Sequence, residues 1–248
     1  VVLRPLRDQL GLTRVRIAAC GGATMAPDVF RMFHAIGVPL RNIYGSTETG
    51  LLTCHQGERF DLETVGHWME SLPVLNSPLQ WRVSEVGELQ VRGGSPFLGY
   101  YRREGSVESK LQDGWFQTGD AVTKTERGEL VFLERLSDLK RLRSGESFPP
   151  QFVETRLRFS PFIKDIMTVG DETLDFVAAL INIDFDVVSR WAEDKRVGFS
   201  TFTDLSQKPE VAELLRAEIQ RVNGFLPTHA RVVRFANFPK ELDPDEGE

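Results

Sequence analysis

Cysteine is nearly absent: Cys20 and Cys54 are the only two in 248 residues. They lie far apart and neither belongs to a Cys-x-x-Cys pair, which disfavours a disulfide framework and a cysteine-rich zinc site and suits a reducing cytoplasm. Histidine is scarce as well. His34, His55, His67 and His229 never reach a His-x-x-x-His spacing, so each is expected at the surface or behind a site rather than in a metal cage. No apolar run approaches the roughly 20 residues that cross a bilayer, and the opening VVLRPLRDQL is too short and too charged for a secretory signal. Positive charge is not in excess: 30 basic residues face 36 acidic ones, which gives no long-range pull toward nucleic acid or anionic lipid. What is present is enough to fold. With 41% hydrophobic residues over this length, a soluble globular protein of one large or two to three small domains is expected. An initiator methionine is lacking and the end, ELDPDEGE, is an acidic run with no closing element, so a piece of a longer chain is expected.

Three textures follow one another along the chain. In residues 1–63, VRIAACGGA reads as a buried strand running into glycines, APDVFRMFHAIG as a helix with Pro27 early and Gly37 as its stop, and VPLRNIYG as a second strand. Strand, helix and strand with small residues at the strand ends is an α/β signature, in which ligands favour the carboxyl ends of strands. From 64 to 134 the segments LQWRVSE, GELQVRG and GELVFLER alternate between turns, the pattern of a small antiparallel, barrel-like sheet. From 135 to 248 a helix behind Pro149 and Pro150, the strands IKDIMTVG and DFVAALINID, and two helices predict a compact α+β domain. The second of those helices repeats Val211, Leu214, Leu215, Ile219 and Val222 on one face.

Two loops carry chemistry. IYGSTETG sets hydroxyls and a carboxylate between glycines just after an apolar strand. Such hydroxyls and backbone N–H groups can hold phosphate oxygens, and Glu48 beside Thr47 can hold Mg²⁺, a hard cation that prefers oxygen. The same letters also spell a helix start with Ser46 or Thr47 as N-cap. DGWFQTGD ends in Asp120, whose carboxylate can accept both hydroxyls of a ribose, or simply close an Asx-type turn between strands. Arg135, ending VFLER, needs an acidic or ligand partner.

Taken together and in order, CGGA, YGSTETG, GYYRREGSVESKLQDGWFQTGD and ERLSDLKRLRSGESFPPQFVE resemble the signature segments of the AMP-forming acyl-CoA synthetases. That superfamily also holds the luciferases and the peptide-synthetase adenylation domains. The likeness runs from about residue 15 to the end and covers only the later part of a usual member. It implies an α/β and α+β fold: the remnant of a large α/β adenylate-forming domain, a β-barrel-like subdomain, and a mobile C-terminal domain truncated at its end. It further implies that Gly21, Gly22 and Ala23 line an adenine pocket with Tyr44 on the base. Gly45, Ser46 and Thr47 would lie at the α-phosphate, Glu48 on Mg²⁺, Asp120 on the ribose hydroxyls, and Arg135 on the ribose and phosphate side. Ser137 falls on the family's hinge, where Asp or Lys is common. Arg141 stands where many members have lysine, and Ser144-Gly145 where a Gly-Gly loop meets the incoming thiol.

The tail from VVSRWAEDK to FPKEL resembles the enlarged C-terminal domain of long-chain fatty acyl-CoA synthetases. That implies a ligase using ATP, Mg²⁺, a long-chain fatty acid and coenzyme A, cytoplasmic, with a peripheral membrane contact open to the longer protein. An adenylation domain that loads a carrier protein, and a non-catalytic relative that keeps the fold, are the alternatives. The family's phosphate loop normally lies upstream of these residues and its C-terminal lysine beyond Glu248. Lys240 belongs to the FPKEL segment before that position, and the polypeptide by itself is expected to be inactive.

Overall fold

Pro5 sits in the first turn of a short helix, α1 (Arg4–Gln9), and small residues then form strand β1 (Ala18–Cys20). In the computed structural model, residues 3–23, 25–69, 78–93, 97, 99–102 and 108–242 are described. The segment GYYRREGSVESKLQDGWFQTGD thus lies outside the described residues at 103–107, and the acidic terminus from 243. The chain divides into two compact units that meet between Ser137 and Asp138.

In the first unit, helix α2 (Pro27–Ala35) starts at Pro27, whose missing N–H is no loss there, and buries Phe30 completely. Strand β2 (Leu40–Ser46) returns parallel to β1, with Ala18 opposite Leu40. The β-α-β reading therefore holds. The expectation that β1 is buried does not: β1 is the edge of a four-stranded sheet ordered β1-β2-β3-β4, and Ile17 just before it is 86% exposed. Within the strand Ala18 and Cys20 are only half-buried and Ala19 is exposed. Strands β3 (Gly50–Cys54) and β4 (His67–Trp68) complete that sheet in antiparallel fashion.

A second sheet contains β5 (Gln80–Val83), β6 (Glu88–Arg92), β7 (Leu111–Gln112), β8 (Trp115–Lys124) and β9 (Leu130–Arg135), all antiparallel. Leu89, Val91, Phe116, Val122 and Leu130 point inward and pack with Leu52 of β3, while Tyr44, Trp68, Trp81 and Phe132 border them. Residues on both sides of position 64 thus share one core.

His55 is not at the surface: it is 2% exposed. Its Nδ1 accepts the Asn42 backbone N–H at 3.0 Å, its Nε2 meets the Thr64 carbonyl at 2.9 Å, and the ring stacks on Phe60 with centroids 4.3 Å apart. One nitrogen accepts and the other donates, so the network calls for the neutral ring, and burial holds its pKa below the usual value. A native state that binds fewer protons than the unfolded chain loses stability as pH falls below the unfolded value of about 6.5. We expect urea midpoints measured at pH 7.5 and pH 5 to differ less in His55→Gln than in the wild type; an unchanged difference would count against this histidine as an acid-sensitive tie.

The second unit opens with a hairpin, β10 (Lys140–Arg141) and β11 (Ser147–Phe148), followed by helix α3 (Pro150–Arg158). Strands β12 (Ile163–Val169) and β13 (Val177–Ile183) pair antiparallel. Three helices follow where two were expected: α4 (Phe185–Asp194), the five-residue α5 (Phe202–Ser206) and α6 (Pro209–Asn223). Asp184 caps α4 by accepting the Val187 N–H at 3.0 Å, and Thr201 caps α5 through the Asp204 N–H at 3.1 Å. The predicted stripe on α6 is inward: Val211, Leu215, Ile219 and Val222 are buried. Strand β14 (Val232–Asn237) closes the sheet parallel to β13.

Candidate functional site

The stretch Ser46–Thr49 is the tip of the β2–β3 hairpin, since Ser46 pairs with Gly50. The helix-start alternative is therefore overturned: the Thr49 hydroxyl sits 3.3 Å from the Ser46 N–H it accepts and 3.0 Å from the Ser46 hydroxyl, folding the turn on itself. Gly45 is required by close approach. A Cβ there would lie 2.1 Å from the Gly50 carbonyl oxygen. Thr47 is exposed at the tip and Glu48 half-buried beside it. The Tyr100 phenol donates to Glu48 Oε1 and holds that carboxyl below the usual range. The Phe97 N–H donates to the Glu48 carbonyl at 3.2 Å.

Asp120 sits within strand β8, so the Asx-turn alternative also fails. Between β6 and β8 the register slips, with Glu88 opposite Ala121 and Gln90 opposite Gln117. Three residues, Thr118 to Asp120, stand against the single Leu89 and form a bulge that re-aims a side chain. Gly119 takes φ +74° there, a left-handed backbone that glycine adopts without a Cβ clash. Thr118 locks the bulge: its hydroxyl donates to the Leu89 carbonyl at 2.6 Å and accepts the Asp120 N–H at 3.2 Å.

The bulge brings three predicted residues into direct contact. The Tyr44 hydroxyl donates to Asp120 Oδ2 at 2.5 Å. Arg135 lies directly opposite Asp120 on β9. Its Nη1 is 2.7 Å from Asp120 Oδ1 while donating to the Thr118 carbonyl at 3.2 Å. Asp120 is 4% exposed, and its Oδ1 is held by the Arg135 guanidinium as an ion pair without a well-aligned hydrogen bond. Burial pushes the Asp120 carboxyl up and the nearby Glu48 charge adds to this, against the Tyr44 bond and the Arg135 charge. Burial first, and then the Asp120 charge, raises the Tyr44 phenol far above its ordinary value. The Tyr44 ring leans on Phe132 with centroids 5.7 Å apart.

Gly21, Gly22 and Ala23 leave β1 exposed, beside β2, because Cys20 pairs with Asn42. Arg141, Ser144 and Gly145 belong to the second unit and share its β10–β11 hairpin. Its turn closes through Leu142 N–H to the Glu146 carbonyl at 2.8 Å and Gly145 N–H to the Leu142 carbonyl at 2.9 Å. Arg143 pairs with Asp175, its Nε donating to Oδ1 at 2.8 Å, which steadies that hairpin. Sequence reasoning did not single out Thr118 or Tyr100. Both lie inside a quoted segment, but nothing local marks a threonine as the lock of a bulge or a tyrosine as a partner 52 positions from Glu48.

Among the described residues no three His, Cys, Asp or Glu side chains gather as a metal cage. A cation at Glu48 would take one carboxylate and nearby hydroxyls from the protein and its other oxygens from a ligand. That donor set fits Mg²⁺, which keeps few protein ligands and shares phosphates. The buried Asp120 carboxylate, whose Oδ1 has the Arg135 charge beside it but no aligned hydrogen bond, fits a hydroxyl donor such as a ribose.

Residues 4–101 match the AMP-binding enzyme family. The chain is similar to these AMP-binding enzymes. Over its whole length it is 31% identical to the long-chain-fatty-acid–CoA ligase FadD15 of Mycobacterium tuberculosis, and it spans 40% of that protein. It is 28% identical to long chain acyl-CoA synthetase 1 of Arabidopsis thaliana over 89% of the chain and 34% of the relative. Among solved structures, the adenylation and carrier didomain of a carboxylic acid reductase from Segniliparus rugosus, in complex with AMP, superimposes with a TM-score of 0.67 at 21% identity. That match takes in 99% of this chain and 33% of the other. The adenylation domain of a Mycobacterium chelonae carboxylate reductase gives 0.64, also at 21%, over 98% and 36%. The chain therefore spans well under half the length of the curated relatives it matches.

Proposed function

We propose that this chain is the adenylate-holding part of a long-chain fatty acid–CoA ligase, which activates a fatty acid with ATP to an acyl-adenylate and passes the acyl group to the thiol of coenzyme A. The observation that carries the reading is the Tyr44–Asp120–Arg135 contact, with a buried carboxylate at its centre whose remaining lone pairs can accept a ligand hydroxyl. Bringing a carboxylate to ATP sets two anions together, so the site must neutralise charge and align the attacking oxygen with the α-phosphorus. Arg135 supplies fixed positive charge with a half-exposed guanidinium, and Asp120 orients the sugar. Thr47 and the hairpin tip would meet phosphate oxygens. Glu48 would hold Mg²⁺, whose role when bound is to offset the charge that develops on departing pyrophosphate. In the second unit, Arg141, Ser144 and Gly145 would serve the thiol step, with Ser137 as the pivot of a domain motion between half-reactions. The reading places the reaction in the cytoplasm, with any membrane contact made by the longer protein to collect an insoluble acid.

Two measurements on the 248-residue chain test it. Calorimetry should show AMP binding, and an assay with ATP, palmitate and coenzyme A should show no acyl-CoA formation, because the expected phosphate loop and C-terminal lysine are not among these residues. Absent AMP binding would overturn the adenylate assignment. Sustained turnover would overturn the inactivity of the piece.

A further inference from the structure

The first unit carries a second set of reactive side chains that the adenylate reading leaves unused. Cys54 and His67 stand directly opposite each other on β3 and β4, which brings Cβ atoms on one face to about 5 Å. Both line an open groove of about 1150 Å³ together with Trp68, Leu79, Trp81 and Arg92. Behind His67 lies Glu129, with its side chain 1% exposed and Oε1 3.8 Å from His67 Nε2. That oxygen also accepts the Asp61 N–H at 3.2 Å, whereas Glu129 Oε2 is buried and accepts no hydrogen bond. A thiol, an imidazole across the ladder and a buried carboxylate behind it are the parts of an assisted nucleophile.

The groove says what the thiol would meet. Trp68 and Trp81 lie with ring centroids 5.4 Å apart, and Leu79 extends the apolar wall. Arg92 lines the same groove, and the Lys124 ammonium sits 5.1 Å from the Trp81 ring. A long apolar chain attached to an anionic carrier matches both features. We propose that Cys54 is an S-acylation site whose donor is a long-chain acyl thioester of an anionic thiol such as coenzyme A. The choice of donor rests on the ligase reading, since that is its product class; the site itself does not. The Cys54 thiol proton passes to His67 and the thiolate attacks the thioester carbonyl carbon. The bond from that carbon to the carrier sulfur then breaks, and the departing thiolate takes the proton back from His67. One thioester replaces another with no net oxidation. Glu129 is the positioning residue, holding negative charge beside the ring that receives the proton.

The test supplies palmitoyl-CoA ready-made to the 248-residue chain without ATP and follows intact mass and peptide maps. One palmitoyl group, released by neutral hydroxylamine, should appear on the peptide containing Cys54. It should be absent in Cys54→Ser and Cys54→Ala and retained in Cys20→Ser. His67→Asn should slow acylation by about a hundredfold, the usual scale of lost general-base assistance, with an unchanged urea midpoint. No adduct, equal acylation of Cys20, or an unaltered rate in a folded His67→Asn would overturn the proposal. Because the donor is added directly, failure of AMP binding leaves this result standing, and failure here leaves the nucleotide reading untouched.

Discussion

Asp120→Ala should weaken AMP binding about a hundredfold in calorimetry while the chain stays folded. Hydrogen bonds from ligand hydroxyls to an ionised carboxylate are worth roughly 1.5–3 kcal/mol each. Two of them lost come to about 3 kcal/mol or more, and each 1.4 kcal/mol is about tenfold. The fold should lose less, because the Arg135 side chain is 57% exposed and water can take over its charge. Tyr44 would keep a buried hydroxyl without its acceptor, so Asp120→Asn, which retains an oxygen there, should sit between the wild type and the alanine variant. Undiminished AMP affinity in a folded Asp120→Ala protein would remove the ribose role and with it the main support for the nucleotide reading.

Gly45→Ala is expected to destabilise the first unit strongly. The added methyl would have to occupy space 2.1 Å from the Gly50 carbonyl oxygen and 2.9 Å from the Leu51 Cα, both main-chain atoms of the paired strand. No side-chain rotation relieves such a clash, so the β2–β3 pairing must open at its tip. A loss of about 3 kcal/mol or more is the scale of substitutions that force backbone apart. Trp68, Trp81 and Trp115 all belong to the first unit, so tryptophan emission during urea unfolding reports mainly on it. The same change should displace Thr47 and Glu48 and lower AMP affinity even at low urea. A midpoint equal to that of the wild type would show that the hairpin yields easily.

The sequence was most legible where local rules decide. The β1–α2–β2 order follows from an early proline, a stop glycine and two apolar runs, and the inward stripe of α6 from helical spacing. The turns were harder. Ser46, Thr47 and Glu48 spell a helix cap and a hairpin tip equally well; what selects the hairpin is the close packing of Gly45 on Gly50, a contact between strands. Asp120 read as a turn residue because Thr-Gly usually marks one. Its place inside a strand depends on the Thr118 hydroxyl reaching the Leu89 carbonyl, 29 positions away. The Tyr44–Asp120 bond spans 76 positions, a distance over which no periodicity carries information. The burial of His55 was not legible for the same reason, as its partners come from Asn42 and Thr64. The exposure of β1 was unreadable in another way: strand letters report what a residue prefers to touch, not whether a neighbour is there to touch it.

The parallel strand β14 gives the second unit a direction in time. Strand β13 ends at Ile183 and its parallel neighbour begins only at Val232, after three helices. A chain emerging from the ribosome can pair β12 with β13 early, but one flank of β13 stays bare until nearly fifty further residues have been made. During that interval the row Val177, Ala179 and Ile181, buried in the finished unit, lacks the last strand beside it. Synthesis pausing there would leave a sticky, half-built sheet, and a stop codon before Val232 would make that state permanent.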